Sequence, residues 1–145
     1  MYLAKKLKVL LIISLIIFLN IRTSIALENK ILFKVNNEII TTIDIFEEIR
    51  FLKSFNPEIS NLDETDLFEI SKNSILRDKV KKIEIMNFVK ELKVDDKFLL
   101  GFIKNKYSKI GINSIEKFEN YLSDNNLNRE NIMEKFYIQI IWNDL

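Results

Sequence analysis

Asp63, Glu64 and Asp66, and further on the pair Asp95 and Asp96, are the groups in this sequence best spaced for general acid–base work. Two neighbouring carboxylates can divide such work, one as the acid and the other as base or nucleophile. Both clusters stand where a helix is expected to begin, and acidic residues favour that place because they offset the positive end of the helix dipole. No His and no Cys occurs among the 145 residues. Their absence excludes His-dependent triads, most zinc sites, disulfides and a lipid anchor on Cys. With two Gly in the whole chain there is no Walker loop and no GxGxxG turn, so no nucleotide or other cofactor is expected.

Asp124, Asn126 and Asn128 are spaced like the first three ligands of a calcium loop. Arg129 occupies the position that needs Gly and Lys135 the position that needs a bidentate Glu, so no metal is expected there. The chain therefore reads as a binder with no catalytic residues of its own, and its aromatics become the candidate contacts. Eleven Phe, four Tyr and one Trp are present. Phe46, Phe88, Phe102, Phe118 and Phe136 fit apolar helix stripes and are assigned to the core. Tyr107, Tyr137 and Trp142 carry a polar handle suited to a half-wet surface, and are the candidate binding residues.

The elements that would position these residues follow from periodicity. "ILFKVNNEIITTIDI" places Ile31, Phe33 and Val35 on one face, then Asn36-Asn37, then Ile39, Thr41 and Ile43 at period two. Asn tolerates the left-handed backbone of a two-residue turn, so a β-hairpin is predicted. Thr41 and Asp44 form a capping box for a helix from about Thr42, with Ile45, Ile49 and Leu52 buried and Asn56-Pro57 as its stop. A second helix is predicted from between Ser60 and Asp63 to about Leu92, with Leu76, Val80 and Ile83 on one face and Ile85, Phe88, Val89 and Leu92 on another. Asp95 or Asp96 opens a third helix bearing Leu99, Phe102 and Ile103. Asn113 with Glu116 opens a fourth, burying Phe118, Tyr121 and Leu122. Asn128 caps a fifth, with Leu127 stapled on Ile132, and a stripe of Ile132, Phe136, Ile140, Tyr137 and Ile141. The fold class is mainly α, a short N-terminal hairpin followed by about five helices. No later segment reads as a third strand, although an isolated hairpin needs a cover.

The N-terminus carries a separate message. Lys5, Lys6 and Lys8 precede an apolar run from Val9 to Leu19, and Ser24 and Ala26 take the minus-three and minus-one positions of a cleavage site. The run is shorter than the about 20 residues of a membrane span. Residues 1–26 read as a signal peptide and residues 27–145 as one exported domain, with membrane contact only through the signal segment before cleavage. A retained leader would instead tether an interaction domain. All 21 acidic residues follow Ala26 and four of the 22 basic ones precede it, so the remaining 119 residues carry a net charge of −3. Such a domain is a poor nucleic-acid binder.

Taken in order, the signal peptide, "FKVNNEIITTIDI", "ILRDKVKKIEIMNFVKELKVDD" and "IEKFENYLSDNNLNRENIMEKFYIQIIWNDL" resemble the N-terminal domain of the SurA family of periplasmic chaperones. "RDKVKKIEI" looks like that family's "LIDxKL" helix, and "FENYLSDNNLN" shares its phenylalanine-to-asparagine spacing. Lys93 departs from the pattern where the family often has Gly, and Arg77 and Val80 replace commoner apolar choices. The resemblance implies an ATP-independent periplasmic chaperone that binds unfolded outer-membrane proteins and assists their assembly. It also implies that the hairpin takes a strand from a C-terminal segment not present in this sequence. The alternative it carries is the N-terminal portion of a parvulin-type peptidyl-prolyl isomerase whose His-bearing catalytic domain lies beyond Leu145.

Overall fold

The computed structural model describes Lys6 and residues 29–145. The expected signal segment lies outside the described residues apart from Lys6, and so do Ser24 and Ala26. Strands β1 (Ile31–Val35) and β2 (Glu38–Thr41) form an antiparallel hairpin, followed by α1 (Thr42–Phe55), a 3-10 turn (Pro57–Asn61) and the long α2 (Glu64–Ile85). Then come α3 (Asp96–Tyr107), a second 3-10 turn (Ser108–Ile110), α4 (Ile115–Asp124) and α5 (Arg129–Asp144). The described chain is thus mainly helical, with a two-stranded hairpin ahead of five α-helices.

Asn36 takes the left-handed conformation (φ 53°) that lets the chain reverse in two residues. That turn sets Val35 opposite Glu38, Lys34 opposite Ile39 and Phe33 opposite Ile40. Directly opposed residues share a face, so the inner face is Phe33, Val35, Glu38 and Ile40. Ile40, and not the period-two set of Ile39, Thr41 and Ile43, takes the inner face: Ile40 is fully buried and Ile39 is exposed. A bulge between Ile31 and Phe33 breaks the alternation of β1, leaving Ile31 exposed while Leu32 packs inward with Phe33. Glu38 on this inner face meets Lys79, 2.7 Å away, and Lys82, 3.6 Å away, both on α2.

The capping box of α1 is present in full: the Thr41 backbone N–H donates to Asp44 Oδ2 at 2.7 Å, and Asp44 N–H donates to Thr41 Oγ1. Its buried stripe is Ile45, Glu48 and Phe51, with Ile49 and Leu52 only half buried. The expected stripe of Ile45, Ile49 and Leu52 is therefore rotated. The reason is that α1 joins two cores, sending Ile45 and Ile49 to one and Phe51, Leu52 and Phe55 to the other.

Helix α2 starts behind Asp63, whose carboxylate caps Asp66 N–H at 2.8 Å, and ends at Ile85 rather than near Leu92. Ile85 is fully buried, whereas Met86 and Phe88 beyond it stand in solvent. Helical hydrogen bonds do not sustain themselves without packing, so the apolar period after Ile85 yields turns instead of helix. Val80, Phe46 and Phe88, expected inside, are exposed. Helix α4 is capped by Ser114, one residue after the expected Asn113, with Lys117 N–H donating to Ser114 Oγ at 3.1 Å. Asn128 caps α5 through Asn131 N–H at 3.0 Å, and Leu127 and Ile132 belong to one core cluster, as a staple requires.

The larger core joins the end of α1 to α3, α4 and α5 around the buried rings of Phe118 and Phe136. Phe136 lies 5.1 Å from Phe118, 5.0 Å from Phe102 and 5.6 Å from Tyr107, measured between ring centroids. The smaller core holds the hairpin and the start of α1 against α2 through Ile40, Ile45 and Ile75. Helices α1 and α2 thus cover one face of the hairpin, and no third strand occurs among the described residues.

Candidate functional site

The three aromatic candidates separate in the structure. Tyr107 is a core residue, 5% exposed, with its ring 4.5 Å from Phe55 and stacked on Phe136. Its expected half-wet position is corrected, because the last turn of α3 points between α1 and α5 and takes the ring inside. Burial pushes the Tyr107 hydroxyl's pKa well above its ordinary value, and the charge of Glu48 adds to the effect. Tyr137 is half buried against the larger core. Trp142 is 39% exposed on the last turn of α5, with the Lys81 ammonium 5.5 Å from its ring. Only Tyr137 and Trp142 therefore remain near the surface.

The acidic clusters stand at helix starts, and of the two caps only Asp63 accepts a backbone hydrogen bond through its side chain. Asp63 caps α2, with Glu64 and Asp66 in its first turn, while Asp95 and Asp96 open α3. Asn126, the middle residue of the calcium-like trio, takes a left-handed conformation (φ 52°), and its carbonyl accepts from Arg50 Nη1 at 2.9 Å. Asn128 is occupied with capping α5. No group of three or more metal-capable side chains occurs among the described residues, and none of their helices is long and apolar enough to cross a membrane.

Periodicity gave no hint of the main polar feature, an ion cluster buried where α1, α2 and α5 meet. Lys135, only 9% exposed, places Nζ 3.0 Å from both Glu48 oxygens, and hydrogen-bonds Oε2. It also pairs with Asp78 of α2 and lies 5.2 Å from the centre of the Phe51 ring. The expected α5 stripe did not include Lys135 or Ile138, yet both are buried, since α5 faces α2 as well as the larger core. The sequence signal was faint: Glu48 and Lys135 each interrupt an apolar stripe, which on a helix normally means a solvent face.

A pocket of about 140 Å³ opens beside this cluster, between α1, α2, α5 and the α4–α5 turn. Phe51, Ile75, Ile132 and Ile138 supply buried apolar wall, and Arg50, Asn128 and Asn131 stand at the exposed rim. Asp44, Glu47, Glu48, Asp78 and Glu134 line it against Arg50, Lys79 and Lys135, an acidic surplus of two. Around it the helices are laced by Lys82 to Glu134 at 2.8 Å and Asn131 Nδ2 to Glu47 at 2.6 Å. Burial opposes the charge of Lys82, but the hydrogen bond to Glu134 and the charges of Glu134 and Glu38 raise its pKa overall. Lys106, which donates to Gln139 at 2.9 Å, is shifted downward by burial and by the nearby Lys135 and Lys81, against the pull of Asp78.

Outside the cores, the structure leaves a set of apolar residues in solvent. Phe88 is 74% exposed in the turns after α2, and Phe98 is 63% exposed in the first turn of α3. Ile31 and Ile39 lie on the hairpin, and Ile43 and Phe46 are one turn apart on α1. Comparison of the chain with protein-family models, curated proteins and solved structures gives no match in any of the three.

Proposed function

We propose that this chain is an ATP-independent chaperone that holds unfolded outer-membrane and other envelope proteins in the periplasm. The observation that carries the reading is the surplus of exposed apolar surface. Among the described residues thirteen large apolar side chains are exposed while sixteen are buried. Scattered apolar residues are ordinary on a surface, but a Phe as open as Phe88 or Phe98 forgoes burial worth about 2 kcal/mol. Such groups suit transient contact with aromatic and aliphatic client segments, and contact of this kind needs no nucleotide. Trp142 and Tyr137 would add half-wet contacts. The basic, apolar, small-residue order of residues 1–26 supports export, and the resemblance to the SurA family's N-terminal domain supports the choice of clients.

The test is aggregation of a urea-unfolded porin diluted into buffer, followed by light scattering. Suppression at several-fold excess of the chain is expected, and a folded chain that leaves the scattering unchanged refutes the proposal. A second reading, the N-terminal portion of a parvulin-type peptidyl-prolyl isomerase, is favoured by the hairpin, which has no third strand among the described residues. In that case catalysis would belong to a His-bearing segment following this sequence.

A further inference from the structure

We propose that the pocket between α1, α2, α5 and the α4–α5 turn binds a primary ammonium carried on a short alkyl chain. Three features of the pocket converge on this chemistry. Its volume of about 140 Å³ approaches the roughly 150 Å³ cavity that takes a benzene-sized molecule of about six heavy atoms. An n-pentylammonium ion has the same number. The apolar walls of Phe51, Ile75, Ile132 and Ile138 accept methylenes, while the carboxylates of Asp44, Glu47, Glu48 and Asp78 accept the charged head.

The charge distribution decides the sign of the ligand. Lys135 is shared between Glu48 and Asp78, and Lys79 and Glu134 are satisfied by Glu38 and Lys82. Asp44 and Glu47 are hydrogen-bonded by Thr41 and Asn131, which bring no charge. Arg50 is the one opposing charge at the rim, its guanidinium held on the Asn126 carbonyl. Glu48 is 93% buried by its 7% exposure, and its Oε1 receives no hydrogen bond although Lys135 Nζ is 3.0 Å away. Lys135 itself shows how this site holds an ammonium, on carboxylates and 5.2 Å from the centre of the Phe51 ring.

The ammonium could come from a lysine side chain of a bound polypeptide or from a free diamine. The first source rests on the proposed chaperone function, whereas the site itself does not. The experiment is an amide NMR titration of the full chain with n-pentylamine, 1-pentanol, capped lysine (Nα-acetyl-lysine amide) and cadaverine. Saturable shifts at Glu48, Asn128 and Asn131 with pentylamine and none with pentanol are expected. Glu47→Gln, whose partner Asn131 is at the exposed rim, should weaken pentylamine about two- to fivefold. Capped lysine at least matching cadaverine assigns the site to polypeptide side chains, and tighter cadaverine assigns it to free diamines. No saturable shift with pentylamine, or equal shifts with pentanol, overturns the proposal for the wild-type chain whatever Glu47→Gln does. Pentylamine binding without suppression of porin aggregation would keep the site and remove the chaperone reading.

Discussion

Replacing Lys135 by Met tests the buried ion cluster most directly, because Met keeps an unbranched apolar stem and deletes the ammonium. Glu48 is then left 7% exposed with no cation within reach, and Asp78 at the edge of the cluster loses the same partner. Removing one partner of a buried pair costs about 3–5 kcal/mol. The lower end applies, since the Asp78 side chain is 16% exposed and the adjoining pocket lets water reach it. With a urea m-value of about 1.3 kcal/mol/M for a domain of this size, a loss of about 3 kcal/mol moves the midpoint down by about 2 M. The double variant Lys135→Met with Glu48→Leu removes the buried Glu48 carboxylate as well and should regain about 2 kcal/mol of that loss, while Asp78 stays without Lys135. A double-mutant cycle in urea should therefore give a coupling of about 2 kcal/mol or more. A Lys135→Met cost below about 1 kcal/mol, or single costs that simply add, would refute the argument that this pair is buried and interdependent.

Ser71→Ala should leave urea stability unchanged or raise it by up to about 1 kcal/mol, because Ser71 Oγ is fully buried without a partner. Glu38 sits below its ordinary carboxyl pKa of 4.5 because Lys79 donates a hydrogen bond to it. Burial opposes that shift, and the charges of Lys79 and Lys82 reinforce it. A depressed folded-state pKa gives stability that is present above 4.5 and lost as pH falls through the folded value, so Glu38→Gln should flatten the acid limb of a stability-versus-pH curve. The paired change Phe88→Ser and Phe98→Ser should shift stability by no more than about 0.5 kcal/mol each, since both rings are exposed. The same variant should suppress porin aggregation less well than the wild type in light scattering. An unaltered curve would remove these rings from the binding surface.

Much of the scaffold could be read from local chemistry. Thr41 with Asp44, Asp63 and Asn128 each mark a helix start through a hydrogen bond spanning three residues. Such bonds need nothing distant to form. The end of α2 was not legible, because Phe88, Val89 and Leu92 continue the apolar period that burial abandons after Ile85. Tyr107 was misplaced for a related reason. A phenol suits a half-wet position, but its ring filled the space between Phe55 and Phe136. The pocket was invisible, since its walls come from segments as far apart as Asp44 and Ile138.

By itself the sequence determined the element types, their order and most of their beginnings, together with the absence of His, Cys and Gly-rich chemistry, because propensity, capping and composition act within a few residues. Only the tertiary structure decided which of two apolar stripes each helix buries, that Ile40 rather than Ile39 faces inward, and that Lys135 meets Glu48 and Asp78. Those outcomes depend on which surfaces pack together across the chain, and a buried charge is stable only where folding delivers its counter-charge to within about 3 Å.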